Sequence, residues 1–192
     1  MSNVAWIKMI DDDEADEILK KVFDTARTPH GSLDNVMRVH SLRPETMIGH
    51  LRLYKSVLHS DDITLPLWFL EIVATHVSIL NNCDYSFTHH WNNAKILIGD
   101  SARSNKMLKA LKGNWFENIF TDKEAALIKY AEKLTLNVGC MHKEDISRLR
   151  AVECDDGEIL EVNQVVAYFN YSNRLLNGLG VSLRGDKIGF YK

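Results

Sequence analysis

The sequence predicts an all-α domain, and three observations carry that prediction. Apolar residues recur at three- and four-residue steps through most of the chain, as they do on one face of a helix. No segment sustains the strict alternation of a half-buried strand. All three prolines, Pro29, Pro44 and Pro66, lie early, so none interrupts the helical segments after residue 66.

In chain order, an extended start at residues 4–9 leads to the acidic run at 11–14. It suits the dipole of a helix N-terminus and reads as a solvated helix start. Ala15, Ile18, Leu19, Val22, Phe23 and Ala26 follow at helical spacing. Pro29, Gly31 and Ser32 break that pattern, and a short helix is predicted over 33–41. Pro44 opens a third helix reaching Leu58, with Met47, Leu51, Tyr54 and Leu58 inward and His50, Arg52 and Lys55 on its polar face.

Pro66 begins a helix that is apolar nearly all round, as expected of a buried central element. Glu71 is the anomaly in it. A carboxylate is almost never buried unpaired, so Glu71 must meet solvent, a histidine, a thiol or water. Asn81 and Asn82 leave helices readily and predict a break, after which a helix runs over 83–98 to the terminator Gly99-Asp100. Further helices are predicted at 101–112, at 121–136 behind the capping box Thr121-Asp122-Lys123-Glu124, at 143–150 and at 158–177. The tail from Val181 is expected to be extended or docked on a neighbouring subunit, and its Arg184-Gly185-Asp186 tripeptide to be chance.

Residues 1–192 read as one domain of about eight helices, since no linker divides them. Hydrophobic content of 45% and charged content of 26% are those of a soluble globular protein. The net charge of −3 is spread over interspersed charges with no basic block, which excludes nucleic acid as a partner. No apolar run is long enough to span a bilayer and the N-terminus has no signal-peptide pattern, so no membrane role and a cytoplasmic location are expected. The three cysteines are odd in number and widely spaced, which predicts reduced thiols rather than a disulfide framework.

The chemistry concentrates at residues 71–90. Cys83, Ser86 and His90 stand at i, i+3 and i+7, within roughly 60° on one helical face. A cysteine at a helix start is stabilised as thiolate, His90 could move a proton, and Glu71 from the preceding helix could orient either group. His76, Cys83, His89 and His90 are potential metal ligands, but neither HxxxH nor CxxC occurs, so no metal and no cofactor is predicted. His89 should point away from His90, as neighbours on a helix do not share a face. His30, His40, His50, His59 and His142 are expected at the surface or in loops.

At these residues the chain resembles the alkylhydroperoxidase D and carboxymuconolactone decarboxylase family, in its peroxidase-related branch. The family's peroxidatic pattern is Glu, eleven residues, CxxC, three residues and His, and Glu71, Cys83, Ser86 and His90 fall at those positions. VFDTARTPHGSLDNVMRVHSLRPETMIGHLRLYKSVL before the motif, and AALIKYAEKLT and YFNYSNRLLNGLGV after it, are similar to the family's flanking helices. The resemblance implies an all-helical homo-oligomer, a trimer or hexamer, with Glu71, Cys83, Ser86 and His90 as the catalytic set. It implies hydroperoxide reduction in which the second cysteine attacks the peroxide. Here that position is Ser86, which cannot pass through a sulfenic acid or form the disulfide, so the two-cysteine cycle is unavailable. The main expectation is therefore a one-cysteine peroxidase through Cys83, rescued by an external thiol donor. The alternatives are acid/base chemistry on a small organic acid or similar molecule through His90 and Glu71, or an inactive member.

Overall fold

The computed structural model describes residues 4–191, and among them every regular element is helical. The order is α1 (Glu17–Ala26), α2 (Asn35–Arg38), α3 (Pro44–Leu58), α4 (Leu67–Leu80), α5 (Asp84–Ile98), α6 (Ser101–Gly113), α7 (Asp122–Leu136), a 3-10 turn (Val138–Cys140), α8 (Lys143–Ala151) and α9 (Asp156–Leu179). No helix is long and apolar enough to cross a membrane among these residues.

Helix α4 is the axis of the bundle. Every residue from Phe69 to Ser78 is buried, and α5, α7 and α9 pack against it. Leu70, Ile72, Val73, Ala74 and Val77 meet Leu127, Ile128, Val162, Val166 and Phe169 in the main core. Helix α1 lies on α3 with its own apolar cluster of Leu19, Phe23, Met37 and Met47. A third cluster gathers Ala5, Val39, Cys83, Tyr85, Leu176 and Val181.

The helix starts follow their caps. Asp16 accepts from Leu19 N at 2.8 Å, while Thr121 and Asp155 complete capping boxes with Glu124 and Glu158. The acidic run at 11–14 is not the start of α1, which begins at Glu17. Its Asp12 instead takes Arg27 and Arg38 at 2.5 Å each, and these cations hold the Asp12 carboxyl below its usual range against the opposing effect of burial. The break between α4 and α5 falls at the predicted asparagines. Asn82 adopts φ 50°, a left-handed conformation that Asn tolerates, and Cys83 N returns to Ser78 O at 2.9 Å.

The tail docks on its own chain. Asn35 Nδ2 donates to the carbonyls of Ser182 and Arg184 at 3.0 Å each, and Asn35 N lies 3.1 Å from both Asp186 carboxylate oxygens. Asp186, from the tripeptide with no assigned role, is thus a clasp that also accepts the Tyr85 hydroxyl.

His50, on α3, corrects the expectation of a surface or loop position, and His40, in the turn before α3, is buried as well. His40 and His50 are 6% and 2% exposed, because α3 turns its His50 face toward α9 rather than to solvent. His76 on α4 is 1% exposed, packs edge-on against Phe116 and has no partner at either ring nitrogen among the described residues. Burial pushes His76 down to about 4 and His50 to about 3. The unfolded chain, with histidine near 6.5, therefore binds more protons between those values, so stability falls as pH drops below about 6.5 and is fully present above it. Replacing the orphaned ring by His76→Leu is expected to recover about 2 kcal/mol of the loss between pH 7 and pH 5, read from denaturant midpoints.

Candidate active site

Helices α4 and α5 form an antiparallel hairpin in which Glu71 and Asn93 stand at equal distances along the chain from Asn82. That symmetry brings the two side chains level. Glu71 is 0% exposed, and each of its carboxylate oxygens has a partner: Oε2 lies 2.6 Å from His90 Nδ1, and Oε1 accepts from Asn93 Nδ2 at 3.1 Å. The anomalous carboxylate of the apolar helix therefore meets a histidine and an amide. Desolvating a carboxylate costs several kcal/mol unless such bonds replace its water. The His90 ring is fixed further by the edge of Phe169, with centroids 4.5 Å apart.

With Nδ1 held by Glu71, Nε2 is the ring nitrogen left for chemistry, and His90 lies on the wall of a cavity of about 510 Å3. That volume is of the size that holds small organic molecules. Ser86 shares this wall one turn earlier, its hydroxyl oxygen 2.9 Å from that of Ser78, which also reaches Ala74 O at 2.7 Å. Tyr54, Tyr168 and Phe190 supply aromatic surface.

Cys83 does not line the cavity. It is the N-cap residue of α5, with φ −103° and ψ 89°, so it stands outside the helical register that would have placed it on the face of Ser86 and His90. Its thiol is 1% exposed within the third apolar cluster, beside Tyr85 and Leu176. Burial pushes the thiol up, opposed by the Ser86 and Tyr85 N–H groups and reinforced by the Asp84 charge. Of the four residues singled out by spacing, the structure thus joins Glu71 to His90 and sets Ser86 on the same cavity, while Cys83 faces elsewhere. Cys83, Cys140 and Cys154 are all free thiols.

Several wall residues escape the motif. Asn93 is three residues beyond His90 on the same helical face, a spacing that could have flagged it. It ties the site to the tail, since its Oδ1 accepts from Phe190 N at 2.7 Å. His89 is turned from the Glu71 pair as expected, yet lines the same cavity, stacked on Tyr85 at 4.9 Å with Nδ1 accepting from Gly189 N at 3.3 Å. Asp34 lies on the wall too. Burial and the Asp186 charge push its carboxyl up to about 6, against the opposing effects of His89 and Ser32. Among the described residues, no group of three or more His, Cys, Asp or Glu side chains is arranged to hold a metal ion.

Two outcomes test this geometry. Iodoacetamide is expected to alkylate exposed Cys140 first and to leave Cys83 and Cys154 protected in the native protein, as mapped by peptide mass spectrometry. Asn93→Leu strands one Glu71 oxygen and the Phe190 N–H, so it should cost roughly 1–3 kcal/mol in stability and raise hydrogen exchange in the tail.

No family model matches the sequence, and neither does any curated protein. Solved structures do match its fold. One is an alkylhydroperoxidase AhpD core, an uncharacterized peroxidase-related protein from Ralstonia eutropha JMP134, with TM-score 0.81 and 16% identity over 96% of this chain and 95% of that one. Another is an uncharacterized peroxidase-related protein from Silicibacter sp. TM1040, with TM-score 0.80 and 18% identity over 96% and 94%. The debrominase Bmp8 matches with TM-score 0.75 and 16% identity over 96% and 94%; a cysteine-to-alanine variant of it is solved in complex with 2,3,4-tribromopyrrole. The helix order built around the α4–α5 hairpin, shared across nearly the whole of these chains, is the AhpD-like fold of peroxidase-related proteins, and it is the fold of this chain.

Proposed function

We propose that the protein is an acid/base enzyme for a small organic molecule, working on a scaffold of the peroxidase-related kind. The observation that carries this reading is the Glu71–His90 pair on the wall of a cavity that no cysteine lines. His90 Nε2 takes a proton from the bound molecule or returns one to it. Glu71 holds the ring and stabilises the imidazolium, and Asn93 holds Glu71. Ser86 offers a hydroxyl to the substrate beside His90. Aromatic surface from Tyr54, Tyr168 and Phe190 suits a flat molecule with a polar substituent. The homo-oligomer implied by the resemblance belongs to the same proposal. Trp6 at 77% and Ile18 at 72% exposed are apolar surface that such an assembly would cover.

One observation favours a second reading, hydroperoxide reduction through Cys83. The thiol stands at the start of α5, where two backbone N–H groups favour the thiolate. Attack on the peroxide would release an alcohol and leave a sulfenic acid, and an external thiol would have to reduce it.

The readings separate in one pair of assays. The acid/base reading expects 2,3,4-tribromopyrrole in D2O to exchange its ring C–H for deuterium in the presence of the protein. That exchange should fall at least about 100-fold in His90→Ala and persist in Cys83→Ala. Dithiothreitol-dependent loss of cumene hydroperoxide that vanishes in Cys83→Ala, with no His90-dependent deuterium exchange, would replace it by the peroxidase reading.

A further inference from the structure

A second polar chain reaches the cavity from α3, and the His90 pair does not use it. Tyr168 on α9 lines the cavity, and its hydroxyl lies 2.8 Å from His50 Nε2. His50 Nδ1 is 3.0 Å from His40 Nε2, and His40 Nδ1 is 2.8 Å from the Thr46 hydroxyl. Tyr168, His50 and His40 are buried, whereas Thr46 is exposed. The chain therefore joins the cavity wall to solvent entirely through protein groups.

The direction of each bond follows from the outer end. The Thr46 hydroxyl lies 2.8 Å from the Arg43 carbonyl, which can only accept, so the single Thr46 proton is committed there. The Thr46 oxygen then accepts from His40, which carries its proton on Nδ1. A neutral imidazole has one donor and one acceptor nitrogen, so His40 Nε2 accepts from His50 Nδ1, and His50 Nε2 accepts from the Tyr168 hydroxyl. The Tyr168 oxygen keeps its lone pairs free to accept, and Ser172 stands beside it on the same wall. Burial lowers His40, and burial together with the charge of His40 pushes His50 down to about 3. At neutral pH each ring thus has one proton to give and one lone pair to receive with.

We propose that Tyr168 is a second proton carrier of the cavity and that His50, His40 and Thr46 form a wire between it and solvent. A proton leaving the bound molecule, directly or through Ser172, bonds to the Tyr168 oxygen as the phenolic proton moves to His50 Nε2. The Nδ1 proton of His50 passes to His40 Nε2, that of His40 passes to the Thr46 oxygen, and the Thr46 hydroxyl releases its own proton to water as it turns from the Arg43 carbonyl toward His40 Nδ1. One proton enters the chain and one leaves, the protein's charge is unchanged, and both histidines finish as the opposite tautomer. In that arrangement the Tyr168 proton faces the cavity and the chain is set to run inward. Alternate passages therefore suit a reaction that removes a proton from the substrate and later returns one to an intermediate, with His90 as the carrier on the other wall. This role for Tyr168 rests on the acid/base reading, whereas conduction along the wire does not.

The test uses full-length protein labelled with 15N-histidine, without ligand. Nuclear magnetic resonance should find both rings as the Nδ1–H tautomer. The His50 Nδ1–H should exchange with water at least about tenfold faster than the buried α4 amides, which open only by unfolding. Thr46→Val, at an exposed position, should slow that exchange about tenfold and Thr46→Ser should restore it. Exchange as slow as the α4 amides, or unchanged by Thr46→Val, would make the chain a static packing network and end the proposal. In the tribromopyrrole assay Tyr168→Phe should lower kcat about tenfold with little change in KM, and an unchanged kcat overturns Tyr168 as a carrier. If tribromopyrrole is not exchanged at all while His50 exchange behaves as expected, the acid/base reading fails and the wire stands.

Discussion

The burial of the Glu71 carboxylate is the constraint on which the rest of the site depends. A carboxyl group with no solvent contact has to be met by partners placed at hydrogen-bond distance, and the fold supplies two from one facing helix, His90 and Asn93. Meeting that demand fixes the register of α4 against α5, the orientation of the His90 ring and, through Asn93, the seat of the tail at Phe190. Glu71 therefore stabilises the fold only through the groups that also constitute the site. Disturbing any of them leaves a buried polar atom without its partner, a penalty larger than the net contribution of an ordinary hydrogen bond.

Around this pair the cavity is built by elements far apart in the sequence. Helix α5 gives it Ser86, His89 and His90, α9 gives Tyr168 and Ser172, the α1–α2 connection gives Asp34, and the tail closes one side with Gly189 and Phe190. Two kinds of polar equipment result. The Glu71–His90 pair is closed within the hairpin, whereas the chain from Tyr168 to Thr46 runs outward through α3. Their separation on different helices allows a molecule between them to be addressed from two sides. With Ser86 and no cysteine on its wall, the cavity presents proton-handling groups and no thiol to oxidise.

Much of the architecture was legible because helices are encoded locally. Pro44 at the start of α3, the capping box at Thr121, the asparagine break and the terminator Gly99-Asp100 each stand where their chemistry placed them. The acidic run at 11–14 was misread because dipole preference is a weak force. Two arginines arriving from elsewhere outweigh it. The burial of His50, expected at the surface or in a loop, and of His40 in its turn was not legible because a histidine's polarity says nothing about whether the fold offers it partners, and here each partner is another residue of the same chain.

Within the site the division is similar. Spacing set Ser86 on the His90 face and put Glu71 across the predicted break as a group able to orient either Cys83 or His90, and the structure gives it His90. Spacing failed for Cys83 because the helical face it assumed requires helical dihedrals, and the N-cap residue does not have them. The sequence by itself determined an all-helical chain, the break between α4 and α5 and a carboxylate in need of a partner, all consequences of local geometry. Only the tertiary structure decided that the tail closes the cavity and that a tyrosine and two histidines lead from it to solvent. Those depend on contacts between helices, which no short-range periodicity records.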